Sequence, residues 1–166
     1  YMNQRGVYTM ILRIMITIGI LWSTTVYSKS LKDEFIDRVE GCVQAIDHRD
    51  IPIKLIIGTA ALESGWGTSR FAKEGNNLFG IRTFKADVPQ MKPLDNPNAN
   101  FGVKVYNDEC DSVKDYINVI ETHHNYVKFR VLKNKGVSLD VLVSNLGGYA
   151  EDSRYTIVLS KVIGSL

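Results

Sequence analysis

The sequence predicts one α+β domain, mainly helical with a small β insert, over residues 29–166. Three observations predict it. Apolar residues recur at helical spacing through most of the chain, the pattern of helices that bury one face. The period changes only between Asn76 and Tyr106, where two short runs flank a segment containing Pro89, Pro93 and Pro97. The 166 residues also hold no internal repeat, charge run or low-complexity tract, and that length suits a single domain.

The elements follow in order. Ser30 is placed to cap a helix running to Ile46, with Asp33 three residues on and apolar positions at Leu31, Phe35, Val39, Val43 and Ile46. Asp50 is expected to cap a second helix with Pro52 in its first turn. Its residues from Ile53 to Leu62 are apolar nearly all round, the mark of a buried helix. It ends at Gly65-Trp66-Gly67. Thr68 or Ser69 then caps a short helix through Glu74, stopped by Gly75. Residues 81–84 and 100–105 read as two strands, the second with Phe101, Val103 and Val105 on one face. Helices resume near Asp108, from Ser138 to Leu146, and from Asp152 to Ile163, with Gly147-Gly148 separating the last two.

Composition removes several classes. With 45% hydrophobic residues the chain is too apolar for disorder, and two cysteines make neither a disulfide framework nor a zinc cluster. The net charge of +2 comes from the N-terminus: residues 1–28 contain Arg5 and Arg13 and no acid, and the remainder balances. A nucleic-acid binder keeps a basic surplus on its folded part, so no nucleic-acid partner is expected. Three histidines without partner spacing make no metal site, and His123 and His124 read as structural residues at a helix end. Neither metal nor cofactor is expected.

Residues 1–28 have the form of a secretory leader: basic residues, an apolar run from Ile14 to Trp22, and small residues approaching Ser28. The alternative is an uncleaved anchor, since Met10 to Val26 is only slightly short of the ~20 residues of a membrane span. Either form exports the domain to the periplasm or cell envelope, with membrane attachment only if the leader stays. Export permits a Cys42–Cys110 bridge. Two ordinary half-buried thiols remain the alternative.

Glu63 is the most informative residue. It closes the apolar helix before two glycines that permit a sharp turn. Desolvation by the helix, the negative end of the helix dipole and an apolar wall from Trp66 all favour its protonated form. A carboxyl group that keeps its proton near neutral pH suits the general acid of glycosidic cleavage. An isolated Glu in this position would instead read as a local cap or ion-pair partner.

The residues that follow decide between those readings. The run from Ala61 through Glu63-Ser64-Gly65-Trp66-Gly67 to Asn76-Asn77-Leu78-Phe79-Gly80-Ile81 resembles the core of the bacterial glucosaminidase domain, glycoside hydrolase family 73, in its Bax-type subgroup. A second stretch is similar to the same subgroup: Val105-Tyr106-Asn107, Cys110 to Val113, Tyr116-Ile117, Thr122-His123 and Tyr126. A third, Tyr149-Ala150-Glu151-Asp152 with Tyr155 and Leu159, resembles the family's C-terminal block. The likeness spans roughly residues 35–165. It implies a lysozyme-like fold whose cleft lies between a helical lobe and a small β-hairpin lobe. It further implies cleavage of β-1,4 bonds after N-acetylglucosamine in peptidoglycan glycan strands. Glu63 matches the catalytic acid, and Tyr149 matches the tyrosine set beside the substrate's acetamido group.

A second catalytic carboxylate is less legible. In this family the β lobe tends to supply it, and the candidates here are Asp87 and Asp95, each of which also reads as a solvated loop residue. Glu74 is a third possibility, or a helix-end surface charge. A substrate-assisted route, in which the sugar's own N-acetyl oxygen attacks the anomeric carbon, needs no second carboxylate. Trp66, Asn76, Asn77, Phe79 and Tyr155 are the expected substrate-binding residues; Trp66 and Phe79 are equally readable as core.

The expectation is thus an exported, monomeric peptidoglycan hydrolase, an endo-β-N-acetylglucosaminidase with Glu63 as general acid. A muramidase or lytic transglycosylase of the same fold is the nearest alternative. A peptidoglycan-binding module without catalysis is the alternative from another class.

Overall fold

The computed structural model describes residues 28–146 and 153–166. Residues 1–27, nearly all of the expected leader, the Gly147-Gly148 separator and the Tyr149 block fall outside that range. Helix α1 spans Leu31–Gln44 and opens on the expected capping box: the Ser30 hydroxyl accepts from the Asp33 amide at 3.2 Å, and the Asp33 carboxylate accepts from the Ser30 amide at 3.3 Å. Each satisfies a polar group that the first helical turn leaves without an intrahelical partner.

Helix α2, Ile53–Ser64, is the axis of the molecule. Leu55, Ile56, Ile57, Ala60 and Ala61 are buried on several sides of it, as its unbroken apolar run requires. Pro52, and not Asp50, stands at its N-cap, where no side chain caps it. Asp50 and Arg49 lie instead in the left-handed region, with φ of 57° and 51°. The chain there turns too sharply for Asp50 to stand at the helix entrance.

Helix α3, Arg70–Gly75, is capped by the Ser69 hydroxyl, which accepts from the Ala72 amide at 3.2 Å. The β insert follows as β1 (Arg82–Thr83), β2 (Gln90–Met91) and β3 (Gly102–Lys104). The sheet has three antiparallel strands in the order β1-β3-β2, so the expected two-stranded hairpin is extended by a strand from the proline-rich segment. Pro89 lacks an N–H but keeps its carbonyl, which accepts from the Val105 amide at 2.8 Å beside the β2 pairing.

Helix α4, Glu109–Thr122, starts on Asp108, whose carboxylate accepts from the Asp111 amide at 2.9 Å. A 3-10 turn at His124–Tyr126 leads into α5, Val127–Asn134, an element the helical spacing did not suggest. Helix α6 covers Leu139–Val143, and α7 covers Ser153–Gly164. The core lies between α1, α2, α4 and α7. Gly58 on α2 admits α7 closely, because a Cβ there would fall 2.6 Å from Ile163 Cγ1. Cys42 on α1 and Cys110 on α4 are joined in a disulfide with their Cα atoms 4.9 Å apart, which resolves the cysteine alternatives in favour of the bridge. Among the described residues no helix is long and apolar enough to cross a membrane.

Candidate active site

The turn after Glu63 is built by its own sequence. Gly65, Trp66 and Gly67 take successive left-handed conformations, with φ of 58°, 60° and 75°. Glycine adopts this freely at two of the three positions. The Ser64 hydroxyl donates to the Ala60 carbonyl at 2.6 Å and accepts from the Gly67 amide at 2.7 Å, tying both sides of the turn to α2. A Cβ on Gly67 would sit 3.0 Å from the Phe35 ring, so only glycine lets the turn lie this close to α1.

Glu63 projects from this end of α2 half-buried. Burial lifts its carboxyl above the usual carboxylate range, and a hydrogen bond from the Tyr155 hydroxyl of α7 acts in the opposite direction. Desolvation is the larger cause, so the group holds a proton more readily than a free glutamic acid. Tyr155, Leu159 and Ile163 recur every four residues along α7, and Leu159 and Ile163 are buried. That stripe turns Tyr155, an expected substrate-binding residue, toward α2 and the Glu63 carboxyl.

The other expected substrate contacts divide. Trp66 meets the Phe35 ring edge-on at 5.9 Å between centroids and lies under the Lys32 ammonium at 4.8 Å, so it joins the turn to α1. Phe79 is buried and stacks on Tyr116 at 4.0 Å, which makes it core. Asn77 is 1% exposed and occupied on both ends. Its amide nitrogen donates to the Ile81 and Lys104 carbonyls at 3.0 and 2.9 Å, while its oxygen accepts from the Phe79 and Ile81 amides. Asn76 ends α3 in the left-handed region, and its side-chain nitrogen donates to the Tyr106 and Asn107 carbonyls at 3.0 and 3.1 Å. Asn77 and Phe79 are therefore buried and engaged within the fold, and their side chains present little surface to a sugar. The amides that suggested sugar recognition are spent on backbone groups that the turn leaves open.

Asp87 and Asp95 are exposed in the loops on either side of β2. Among the described residues neither is joined to the surroundings of Glu63 by a hydrogen bond or ion pair. Tyr149 lies outside the described residues. The sheet itself is fixed to α4 at Asp115, which accepts from Lys104 Nζ and from the Tyr106 hydroxyl, each at 2.7 Å. Burial and that carboxylate push the Tyr106 phenol well above its ordinary range.

A carboxyl group that burial favours in its protonated form, at the end of a buried helix in a mainly helical domain with a small antiparallel sheet, fits a lysozyme-like glycoside hydrolase. The fold agrees with solved structures. The catalytic domain of the autolysin Auto from Listeria monocytogenes superposes with a TM-score of 0.69 at 21% identity, covering 86% of this chain and 88% of that one. A C-terminally truncated glycoside hydrolase domain of FlgJ from Salmonella typhimurium gives 0.59 at 22% identity, covering 81% and 97%. Residues 40–166 match the family described as mannosyl-glycoprotein endo-beta-N-acetylglucosaminidase, and the chain belongs to that glucosaminidase family. Among curated proteins it is 30% identical to Protein bax of Escherichia coli K12 over 106 residues, covering 60% of this chain and 37% of that protein. It is 27% identical to the peptidoglycan hydrolase FlgJ of the same strain over 127 residues, covering 68% and 39%. The chain thus spans well under half the length of these curated relatives.

Proposed function

We propose that this chain is an exported peptidoglycan hydrolase that cleaves the β-1,4 bond after N-acetylglucosamine, with Glu63 as general acid. The observation that carries the reading is the burial of Glu63, which favours its protonated form at the end of α2, within the residues that match the glucosaminidase family. The substrate class is drawn from relatives described as peptidoglycan hydrolases. Glu63 gives its proton to the leaving glycosidic oxygen as the bond to the anomeric carbon breaks. The acetamido oxygen of the same N-acetylglucosamine attacks that carbon and forms a cyclic intermediate. Glu63, now a carboxylate held by Tyr155, takes a proton from water as the water opens the ring. Tyr149 holds the acetamido group during attack. Asp87 and Asp95 are the candidates for a second carboxylate if the route is not substrate-assisted.

Export to the periplasm or envelope accords with the Cys42–Cys110 bridge, since disulfides persist in oxidising compartments. Residues 1–28 act as the leader, and the mature domain works as a monomer on glycan strands. Mass spectrometry of digested sacculi tests the reaction. New N-acetylglucosamine reducing ends are the expected product. New muramic or anhydro-muramic ends would overturn the specificity, and sacculus binding without cleavage would overturn catalysis.

A further inference from the structure

The turn that follows Glu63 needs support from outside itself. Trp66 is left-handed with φ of 60°, a conformation that a bulky residue keeps only where its surroundings impose it. Part of that support is the Phe35 ring of α1, which meets Trp66 edge-on and lies against Gly67. The other part is Arg38. Its Nη2 lies 3.5 Å from the point that a Cβ on Gly67 would occupy, and its guanidinium carbon is 5.7 Å from the Phe35 ring centre.

Arg38 is itself held from a third segment. Its Nε and Nη2 donate to the two carboxylate oxygens of Glu109 at 3.1 and 3.3 Å, a fork that fixes the plane of the guanidinium as well as its place. Glu109 opens α4, where a carboxylate suits the positive end of the helix dipole. One turn further along α1, Cys42 is bridged to Cys110, the residue after Glu109. The disulfide already ties α1 to α4, and an ion pair with its arginine half exposed adds little to stability. What the fork adds is the direction of Arg38 toward the turn.

We propose that Arg38 is a positioning residue for the reaction: clamped by Glu109, it holds Gly67 in place, and Gly67 fixes Glu63 through the neighbouring Ser64. The last link is the Gly67 amide, which donates to the Ser64 hydroxyl at 2.7 Å. Lysine in place of Arg38 keeps the charge and loses the fork, because an ammonium is a point charge on a flexible stem. The turn is then free to move. Small displacements are costly, since a misplacement of about 1 Å can lower a rate by ~10². The proposal rests on the hydrolase reading above.

The test compares wild type with R38K, E109A and R38K/E109A, the disulfide intact in all four. On soluble glycan strands kcat is expected to fall about tenfold in each single variant with KM unchanged. The double variant is expected to be no slower than R38K, because the two residues act as one unit. In R38K the alkaline limb of kcat/KM moves to lower pH, as a loosened turn lets water reach the Glu63 carboxyl. Tyr155 of α7 bonds Glu63, and Lys32 and Arg38 of α1 face its turn; R38K keeps all of their charges. The Gly67 amide is expected to exchange its hydrogen faster in all three variants. Wild-type kcat in R38K and E109A, additive losses, an unmoved limb or unchanged Gly67 exchange would each overturn the proposal. If wild type releases no new reducing ends the hydrolase reading fails instead, and Gly67 exchange still decides whether Arg38 holds the turn.

Discussion

The Tyr155 hydroxyl of α7 hydrogen-bonds the Glu63 carboxyl at the end of α2, so two helices far apart in sequence meet at the proposed acid. The bond favours the carboxylate and opposes the burial that favours the acid. The balance sets the pH range over which Glu63 carries a proton.

Tyr155→Phe removes the contribution that lowers the Glu63 pKa and leaves burial in place. The group then holds its proton to higher pH, and the alkaline limb of kcat/KM against pH is expected to move upward. A limb that stays in place or moves downward would contradict the assignment of Tyr155.

Glu63→Gln carries a stability signature besides its effect on rate. The folded-state pKa of Glu63 is raised, so folding favours the protonated form, and the stability this contributes is complete below the unfolded value near 4.3. It is lost as pH rises through the folded value. A glutamine does not titrate, so the Tm of the variant relative to wild type is expected to climb as pH rises from the unfolded value through the raised folded value. A flat difference would mean that the carboxyl is not desolvated.

Asn77→Ala removes a buried amide that bonds two carbonyls and two backbone N–H groups across the loop between α3 and β1. Leaving such groups unsatisfied costs about 2–4 kcal/mol, read from urea unfolding. KM is expected to hold in the variant that remains folded. A raised KM at unchanged stability would restore Asn77 as a sugar contact.

The Cys42–Cys110 bridge closes a separation of 68 residues and ties α1 to α4. By chain entropy its loss costs about 4 kcal/mol. The Cys42→Ala/Cys110→Ala variant is expected to unfold at a correspondingly lower guanidinium concentration, and wild type in strong reductant to match it. Coincident transitions with and without reductant would contradict a structural role.

The helices with strong local signals were legible from the residues alone. Ser30 with Asp33 caps where the spacing indicated, Ser69 is the cap of the Thr68 or Ser69 pair, the helix near Asp108 starts there, and the apolar run of α2 is buried as such a run must be. Asp50 misled because a capping residue type is informative only when its backbone can take up the extended N-cap conformation, and here it is left-handed. Helix α5 leaves little trace in the sequence because only Phe129 of its residues is buried, so its apolar stripe is thin. In the site, Glu63 was legible because its desolvation follows from the apolar residues of its own helix. Asn77 was not, because the carbonyl of Lys104 that it bonds is distant in sequence. The direction of Tyr155 depends on how α7 packs at Gly58, which local pattern does not contain.

The most direct test of the central claim is the rate at which purified Glu63→Gln releases N-acetylglucosamine reducing ends from sacculi. The account predicts a folded protein slower than wild type by at least ~10², the scale of a lost general acid. A folded variant that digests sacculi as fast as wild type would contradict it.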